Sequence, residues 1–268
     1  MKIAYQGVPG CNSESALITY YPDHTHLPCA SFLELVRACE NKSVDAILMP
    51  IENTIGGSIK LTYNLIVEAS LHITAEINFP IHYCVLVHPF TSRKKIKYAM
   101  SHPEALLQCA KYIERNGWRT KDYRDTAESA KLISRRKSLT IAAIAPPRCA
   151  LLYQLQVLDN NIEDDPTNTT RFFLLQREPA HGNADKITVT FRLPHNQGSL
   201  YSALQIIAEH GYNMTKIESC PIPNEPYHYE FVVDLDVHGK EWRKLLETLQ
   251  NKFGTIKLLG AYKTGTKN

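Results

Sequence analysis

The stretch Asp165-Pro-Thr-Asn-Thr-Thr-Arg-Phe-Phe-Leu-Leu175 joins a polar loop to an apolar strand. Thr170 stands at the junction, with Arg171 beside it and aromatic residues behind. Alone, this pattern indicates only that a strand begins. Two other polar clusters also lie at the ends of apolar segments, Met49-Pro-Ile-Glu-Asn53 and Ser101-His-Pro-Glu-Ala-Leu-Leu-Gln108. A cleft bordered by three such junctions would suit a small polar molecule.

Strand-like runs alternate with helical stretches on both sides of these junctions, through the first 178 residues. Repeated strand-helix units predict an α/β architecture with mainly parallel sheets. Ligands of such sheets bind beyond the carboxyl ends of strands, where residues 6–7, 50–53 and 101–102 would lie. The predicted strands are 2–6, 26–30, 44–49, 72–77, 82–87, 96–100 and 139–145, and the main predicted helices are 13–20, 31–40, 103–115 and 146–152, with others opening near 58 and 125.

A polar, turn-rich segment at 178–185 predicts a domain boundary. The part of the chain that follows has a different rhythm, with strands predicted at 186–193, 214–220, 227–237 and 255–262 and helices at 199–210 and 240–252. The order βαββαβ is the ferredoxin-like pattern, which is compact enough for a separate domain. The predicted domains are therefore residues 1–178 and 186–268.

Composition and charge exclude several classes of function. The net charge is only +3, and the basic runs at 93–95 and 135–137 lack the interleaved aromatics of a nucleic-acid platform. No run of 18 apolar residues predicts a membrane span, and the N-terminus lacks the apolar core of a signal peptide. Neither nucleic acid nor a membrane is therefore an expected partner.

The cysteines and histidines predict a cytoplasmic protein without a metal site. The 7 cysteines are scattered, odd in number and contain no CxxC pair, which favours reduced thiols. The 11 histidines show no spacing typical of metal ligands. No Walker or dinucleotide-binding fingerprint is present either, so no cofactor is predicted.

Each polar cluster also has a purely structural explanation. The turn Gly7-Val-Pro-Gly10 allows close backbone approach and opens a helix whose free amides favour an anion, or it is simply a tight turn. Glu52 is a carboxylate beyond a buried strand, or an ordinary surface residue. Ser101 shares a helix face with Gln108, or caps the helix that begins at Pro103. Asp125, with Glu128 three residues later, is first of all a helix start.

Five ordered segments together resemble the prephenate dehydratase family, which includes arogenate dehydratase. The segments are Ala4-Tyr-Gln-Gly-Val-Pro-Gly10 with Ser13-Glu-Ser-Ala16, Leu48-Met-Pro-Ile-Glu-Asn-Thr-Ile-Gly-Gly-Ser58, Ser101-His-Pro-Glu-Ala-Leu-Leu-Gln-Cys109, Asp125-Thr-Ala127 and Asn168-Thr-Thr-Arg-Phe172. The resemblance implies a two-lobed catalytic domain like that of periplasmic binding proteins, with lobes of about 1–78 plus 168–178 and about 79–167. It further implies that the C-terminal unit is an ACT domain.

The resemblance implies loss of water and carbon dioxide from prephenate, giving phenylpyruvate, without metal or cofactor. Thr170 is then expected to donate a hydrogen bond or proton to the departing hydroxyl, with Glu52 as a second possible acid. The resemblance also implies positioning roles for Glu52, Asn53, Ser101 and Gln108. Arg171 would pair with a substrate carboxylate. The expected substrate-binding residues are Gly10, Cys11, Asn12, Ser13, Arg171 and Phe172.

Regulation by phenylalanine is also implied, through the segments Gly198-Ser-Leu200, Asn213-Met-Thr215 and Glu218-Ser-Cys-Pro221. ACT domains commonly pair side by side, which implies a homodimer or homotetramer. The chain departs from the family pattern at Cys11-Asn12 and at Ser199, and it has Cys220 where an arginine is usual. The expected effector-binding residues are Gly198, Ser199, Leu200, Asn213, Glu218 and Ser219.

Two alternatives stay open at this stage. One is arogenate dehydratase, whose substrate carries an amino group in place of the keto oxygen of prephenate. The other is a non-catalytic sensor of a small acid that signals through its ACT domain. The family's fused chorismate mutase is not expected in this chain, because no such region precedes Met1-Lys2.

Overall fold

A computed structural model describes residues 1–222 and 224–265 of the chain. The last residues of the predicted C-terminal domain, 266–268, lie outside the described residues, as does residue 223. Within the described part the strands, in chain order β1 to β15, are Lys2–Gln6, Thr25–Cys29, Ala46–Asn53, Gly57–Ser58, His72–Pro80, Cys84–Val87, Tyr98–Ser101, Arg119–Asp122, Ile141–Ala145, Gln156–Asp159, Thr169–Gln176, Lys186–Arg192, Asn213–Pro221, Tyr229–Asp236 and Ile256–Tyr262. The α-helices, α1 to α9, are Asn12–Tyr20, Phe32–Glu40, Lys60–Glu68, Pro103–Gln108, Ala110–Arg115, Thr126–Arg136, Arg148–Leu152, Ser199–Glu209 and Trp242–Phe253.

Local sequence signals account for several helix ends. Ser31 precedes α2 and its side chain accepts a hydrogen bond from the Glu34 N–H at 3.1 Å. Asp125 precedes α6 and accepts one from the Glu128 N–H at 2.9 Å. Each cap satisfies a backbone donor that has no partner inside the helix.

The α/β fold class is confirmed, with one sheet in each lobe. The first lobe contains β1–β5 and β11, and its main strands lie in the order β5-β11-β3-β1-β2. The second lobe contains a separate sheet in the order β10-β6-β9-β7-β8. The chain leaves the first lobe after β5 and returns to it with β11, which places the motif around Thr170 on a strand of the first lobe.

The expectation of mainly parallel sheets is wrong. β1 pairs in parallel with β2 and β3, but β11 is antiparallel to both β3 and β5. In the second lobe β7 is parallel to β8 and β9, whereas β6 is antiparallel to β9 and β10. Each lobe is mixed because one strand enters its sheet after the chain has crossed from the other lobe.

The C-terminal unit, β12 to β15 with α8 and α9, has the ferredoxin-like strand order β13-β14-β12-β15. Its sheet is continuous with that of the first lobe, because β15 pairs with β5 at Gly260 and Ile73. One apolar core is shared between the unit and the first lobe and includes Cys220, Tyr262 and Phe173. The unit therefore packs directly on the back of the first-lobe sheet, which contains β3 and β11.

Three strands and one helix break were not predicted. The two-residue strand β4 lies where a helix was expected to open. β8 and β10 form the two edges of the second-lobe sheet, and the four residues of β8 are all exposed. The helix predicted at 103–115 is interrupted at Cys109, where α4 ends and α5 begins. Within the described residues, no helix combines the length and the apolar character needed to cross a membrane.

Candidate active site

Asn53 and Thr170 face each other across the antiparallel pair β3 and β11. The Asn53 Nδ2 donates to Thr170 Oγ1 at 3.0 Å and to Asn168 Oδ1 at 2.7 Å. The Asn53 Oδ1 accepts from the N–H groups of Ile55 and Gly56 at 3.0 and 2.9 Å. Because both ends of the amide are occupied, its orientation is fixed, and its N–H₂ group is held against the threonine hydroxyl.

The same hydrogen-bond chain reaches the second lobe. Asn168 is fully buried, and its Nδ2 donates to Gln108 Oε1 on α4 at 2.9 Å. The side chains of Gln108, Asn168, Asn53 and Thr170 thus form a continuous series, called here the amide chain. Three of its members are predicted site residues. Asn168 was assigned no role, although it stands in the same motif, two residues before Thr170.

A cavity of about 250 Å³ lies between the lobes. Its walls come from the N-terminal ends of α1, α4 and α6, from the end of β1, from Pro50 within β3 and from Tyr83 before β6. The three predicted substrate-binding residues Cys11, Asn12 and Ser13 are among its lining residues, whereas Thr170 and Gln108 are not. The lining residues are Gln6, Cys11, Asn12, Ser13, Pro50, Tyr83, His102, Glu104, Ala105, Asp125 and Thr126.

The turn before α1 packs closely against the second lobe. Gly10 has φ of +96°, and a Cβ at this position would lie 2.7 Å from Cys149 Sγ. A side chain is therefore excluded by both backbone conformation and space. Gly10 is not among the residues that line the cavity, whereas Cys11 is. Burial raises the pKa of the Cys11 thiol to about 12, so this cysteine is protonated at neutral pH.

Glu14 ties the turn to the second lobe and was not predicted as a site residue. Its carboxylate accepts from the Gly10 N–H at 2.7 Å, from Tyr5 Oη at 3.2 Å and from Arg148 Nε on α7 at 2.8 Å. These bonds satisfy a buried charge. Its place in the motif that begins at Ser13 was the one sequence signal available.

Asp125 is both the N-cap of α6 and part of the cavity wall. Burial raises the pKa of its carboxyl, although the hydrogen bonds from the backbone N–H groups of Glu128 and Ala127 act in the opposite direction. A helix start and a cavity position are therefore combined in one residue. Sequence analysis identified the first of these roles.

Two predicted site residues are buried in this fold. Ser101 is fully buried, and its hydroxyl donates to the Ile144 carbonyl at 2.5 Å. The cap of α4 is instead His102, whose Nδ1 accepts from the Glu104 N–H at 3.3 Å. Phe172 is 1% exposed and lies in the core between the lobes. The structure does not bring either side chain to the amide chain.

Arg171 and Glu52 lie on the opposite face of the sheet. They are cross-strand partners immediately next to the Thr170–Asn53 pair, and side chains alternate between faces along a strand. Arg171 contacts Glu76 and Asp234, whereas Glu52 contacts Lys216. The expected carboxylate-binding role of Arg171 and the expected acid role of Glu52 therefore have no support in this arrangement.

The expected effector residues lie before and at the start of α8 and along β13 of the C-terminal unit. Gly198 precedes α8 with φ of +82°, and Ser199 and Leu200 line a cavity of about 410 Å³ in the C-terminal unit. Asn213 donates to Asp236 at 3.3 Å, at the start of β13. Glu218 lies 3.8 Å from Lys216. Ser219 is opposite Phe231 in the sheet.

Residues that could bind a metal are not clustered in the part of the chain that the structure describes. No group of three or more His, Cys, Asp and Glu side chains with suitable geometry occurs there. All seven cysteines are described, and all are unpaired and buried.

A family model, a curated relative and a solved structure all point to one protein family. The sequence model of prephenate dehydratase matches residues 3–180. The chloroplastic arogenate dehydratase/prephenate dehydratase 1 of Arabidopsis thaliana is 34% identical over 281 residues, which cover 98% of this chain and 72% of that protein. Among solved structures, prephenate dehydratase from Arthrobacter aurescens in complex with L-Phe is 29% identical with a TM-score of 0.90, covering 98% of this chain and 90% of that one.

A second solved structure has a different described activity. GqqA, described as a novel type of quorum quenching acylase, is 29% identical with a TM-score of 0.92, covering 99% of this chain and 98% of that one. The whole chain, including the C-terminal unit, therefore has close structural counterparts.

Proposed function

Because the chain belongs to the prephenate dehydratase family, we propose that it converts prephenate to phenylpyruvate by loss of water and carbon dioxide. The enzyme is a dehydratase of the lyase class, and the reaction serves phenylalanine biosynthesis. The observation that carries the proposal is the Asn53–Thr170 pair, in which an oriented amide donates to the threonine hydroxyl.

The pair has a chemical consequence. Since Asn53 supplies the hydrogen that Thr170 Oγ1 accepts, the hydroxyl proton of Thr170 is available for a bond to the substrate. A threonine hydroxyl is a weak acid, so stabilisation of the departing hydroxyl by a positioned donor is its expected role. One such donor contributes about 3 kcal/mol to lowering the barrier. Formation of the aromatic ring provides the driving force.

The other cleft residues would bind and orient the substrate. Asn12 and Ser13 lie at the N-terminal end of α1 on the cavity wall, where backbone N–H groups favour anionic groups such as carboxylates. Gln108 and Asn168 would hold the two lobes in register around the substrate through the amide chain. Thr170, Asn53 and Gln108 are thus retained from the predicted catalytic set.

Arogenate is the second candidate substrate. The Arabidopsis relative carries both names, and the two substrates differ in a single group of the side chain. The lyase chemistry at Thr170 would be the same for both. An acylase activity has less support, because the described side-chain partner of Thr170 is the amide of Asn53, which is not a general base.

Regulation, assembly and location are parts of the same proposal. We infer that the C-terminal unit is an ACT domain that binds phenylalanine, since the Arthrobacter aurescens structure contains L-Phe. We further infer that a second copy completes the effector site in a homodimer or homotetramer. A cytoplasmic location stays a prediction from the unpaired thiols, and the Arabidopsis relative is chloroplastic.

The test is an assay of the purified chain with prephenate and, in parallel, with arogenate, in the absence of added metal and cofactor. We expect phenylpyruvate to form from prephenate several-fold faster than phenylalanine from arogenate. A preference for arogenate would change the substrate and keep the reaction. Tight binding of an aromatic acid without turnover of either compound would favour a sensor and overturn the enzyme proposal.

A further inference from the structure

The C-terminal unit holds the back of the two strands that present Asn53 and Thr170. On β11, Thr170 faces the amide chain and the next residue, Arg171, faces the unit. On β3, Asn53 likewise faces the amide chain and Glu52 faces the unit. Asn53 and Thr170 therefore each have a covalently adjacent neighbour whose charged side chain is bound to the C-terminal unit.

Arg171 is held by a buried ionic cluster. Its guanidinium lies 2.7 Å from Glu76 on β5 and 2.6 Å from Asp234 on β14, and Lys186 on β12 approaches Glu76 at 3.2 Å. Burial opposes ionisation of Glu76, but the charges of Arg171 and Lys186 outweigh it and lower the pKa of the carboxyl. Only 1% of the Asp234 side chain is exposed, so loss of one partner would leave a buried charge without compensation.

Lys216 on β13 makes the corresponding contact with β3. Its ammonium lies 2.7 Å from Glu52 Oε1 and 2.6 Å from Ser58 Oγ. Glu52 and Ser58 are opposite each other in the β3–β4 hairpin, so one lysine binds both of its strands. The turn of this hairpin supplies the Ile55 and Gly56 N–H groups that orient the Asn53 amide.

We propose that Glu52 and Arg171 are positioning residues through which Lys216 and Asp234 of the C-terminal unit fix the strand pair that presents Asn53 and Thr170 to the cleft. The inference rests on the proposed function, since it assigns these contacts to the reaction at Thr170. Catalytic groups must be held to within roughly 0.5 Å of their working geometry. The Arg171–Asp234 salt bridge, buried at the back of the sheet, meets that requirement because its partners have little freedom to move.

A matched control separates positioning from simple attachment of the unit. Lys257 on β15 also contacts the first lobe, but its ammonium binds the Val67 and Ala69 carbonyls at 2.8 and 3.0 Å, at the end of α3. Lys257→Met therefore removes a cationic contact across the same interface without touching β3 or β11. The test compares it with Glu52→Gln, Lys216→Met and their double variant, with Asp234→Asn as a further case.

We expect Glu52→Gln, Lys216→Met and Asp234→Asn to lower kcat about tenfold with KM nearly unchanged, within the hundredfold that a 1 Å misplacement can cost. The Glu52/Lys216 double variant should lose no more than the worse single variant, because both changes break one contact. Lys257→Met should retain the parent kcat. If Lys257→Met loses as much kcat as the other variants, the contacts of Lys216 and Asp234 serve only to attach the C-terminal unit. A loss of several orders of magnitude in Glu52→Gln but not in Lys216→Met would make Glu52 the acid.

Amide hydrogen exchange gives a readout that does not depend on turnover. We expect the amides of 169–172 to exchange faster in Lys216→Met than in Lys257→Met, in variants shown to be folded by thermal melting. Unchanged exchange in all variants would overturn the positioning inference. If the parent protein converts neither prephenate nor arogenate, the proposed function fails, while the exchange result still decides whether the unit fixes β11.

Discussion

The Thr170 hydroxyl accepts a hydrogen bond from one well-oriented neighbour. The Asn53 amide donates to Thr170 Oγ1 while its own oxygen is bound by two backbone N–H groups. We predict that Thr170→Val, which keeps the branched shape and removes the hydroxyl, lowers kcat by about 10²–10³. Thr170→Ser keeps the hydroxyl and should retain much of the activity. Steady-state assays of both variants test this, and near-parental turnover by Thr170→Val would remove the residue from the mechanism.

The sequence predicts which segments contribute to the candidate site, but not which face of each strand their side chains occupy. The motifs contain Asn53, Gln108 and Thr170, which the structure joins in the amide chain. Strand alternation implies that adjacent residues point to opposite faces. The sequence could not show which face meets the C-terminal unit. The pairing of β3 with β11 shifts by one residue, because Arg171 pairs with Glu52 whereas Phe172 pairs with Pro50. Counting alternate residues along β3 therefore does not predict the faces across this shift. This extra residue in β3 places Glu52 with Arg171, away from the cleft.

At the scale of elements, burial decided which predictions succeeded. The buried strand β3 and the capped helices α2 and α6 carry strong patterns of apolar and capping residues. The strands β8 and β10 are sheet edges with few buried side chains, so they lack the hydrophobic periodicity from which strands are recognised. The mixed strand directions could not be read locally either, because they depend on where the chain crosses between lobes.

The N-terminal end of α6 combines a helix cap with a buried carboxyl, which predicts a pH-dependent stability. Burial raises the pKa of Asp125 above its ordinary value of 3.8. At a pH below both the unfolded-state and the folded-state pKa, the carboxyl is neutral in both states. Between the unfolded-state pKa and the higher folded-state pKa, only the unfolded state ionises, so the free energy of unfolding falls by about 1.4 kcal/mol for each pH unit. Asn is an equally good cap and does not ionise. The free energy of unfolding of Asp125→Asn, relative to that of the parent, should therefore rise with pH.

Chemical denaturation of the parent and Asp125→Asn between pH 3 and 8 measures this difference. Asp125→Ala is the control, because it removes the cap and should cost about 1 kcal/mol. A stability difference between Asp125→Asn and the parent that does not change with pH would show that the carboxyl titrates normally.

At the scale of the whole molecule, one sheet extends from the first lobe into the C-terminal unit. In the order β13-β14-β12-β15-β5-β11-β3-β1-β2, only β5 separates β15 from the cleft strands β11 and β3. The single paired position between β15 and β5 joins Gly260 to Ile73. The two backbones are so close there that the position of the C-terminal unit depends on the absence of a side chain at Gly260. The apolar sequence around Gly260 gives no sign of this requirement.

Substitution of Gly260 should therefore displace the C-terminal unit. A Cβ at this position would lie 2.6 Å from Ile73 Cβ and closer still to the Ile73 carbonyl oxygen, and backbone atoms cannot move aside cheaply. We predict that Gly260→Ala lowers the free energy of unfolding by about 1–3 kcal/mol, increases proteolysis within 178–185 and lowers kcat by disturbing β5 and β11. Gly239→Ala is the control: φ of +77° makes it strained, but no atom lies within 4 Å of the added Cβ. It should therefore lose stability without a change in kcat. Parental proteolysis and kcat in Gly260→Ala would mean that the cleft is insensitive to how the unit docks.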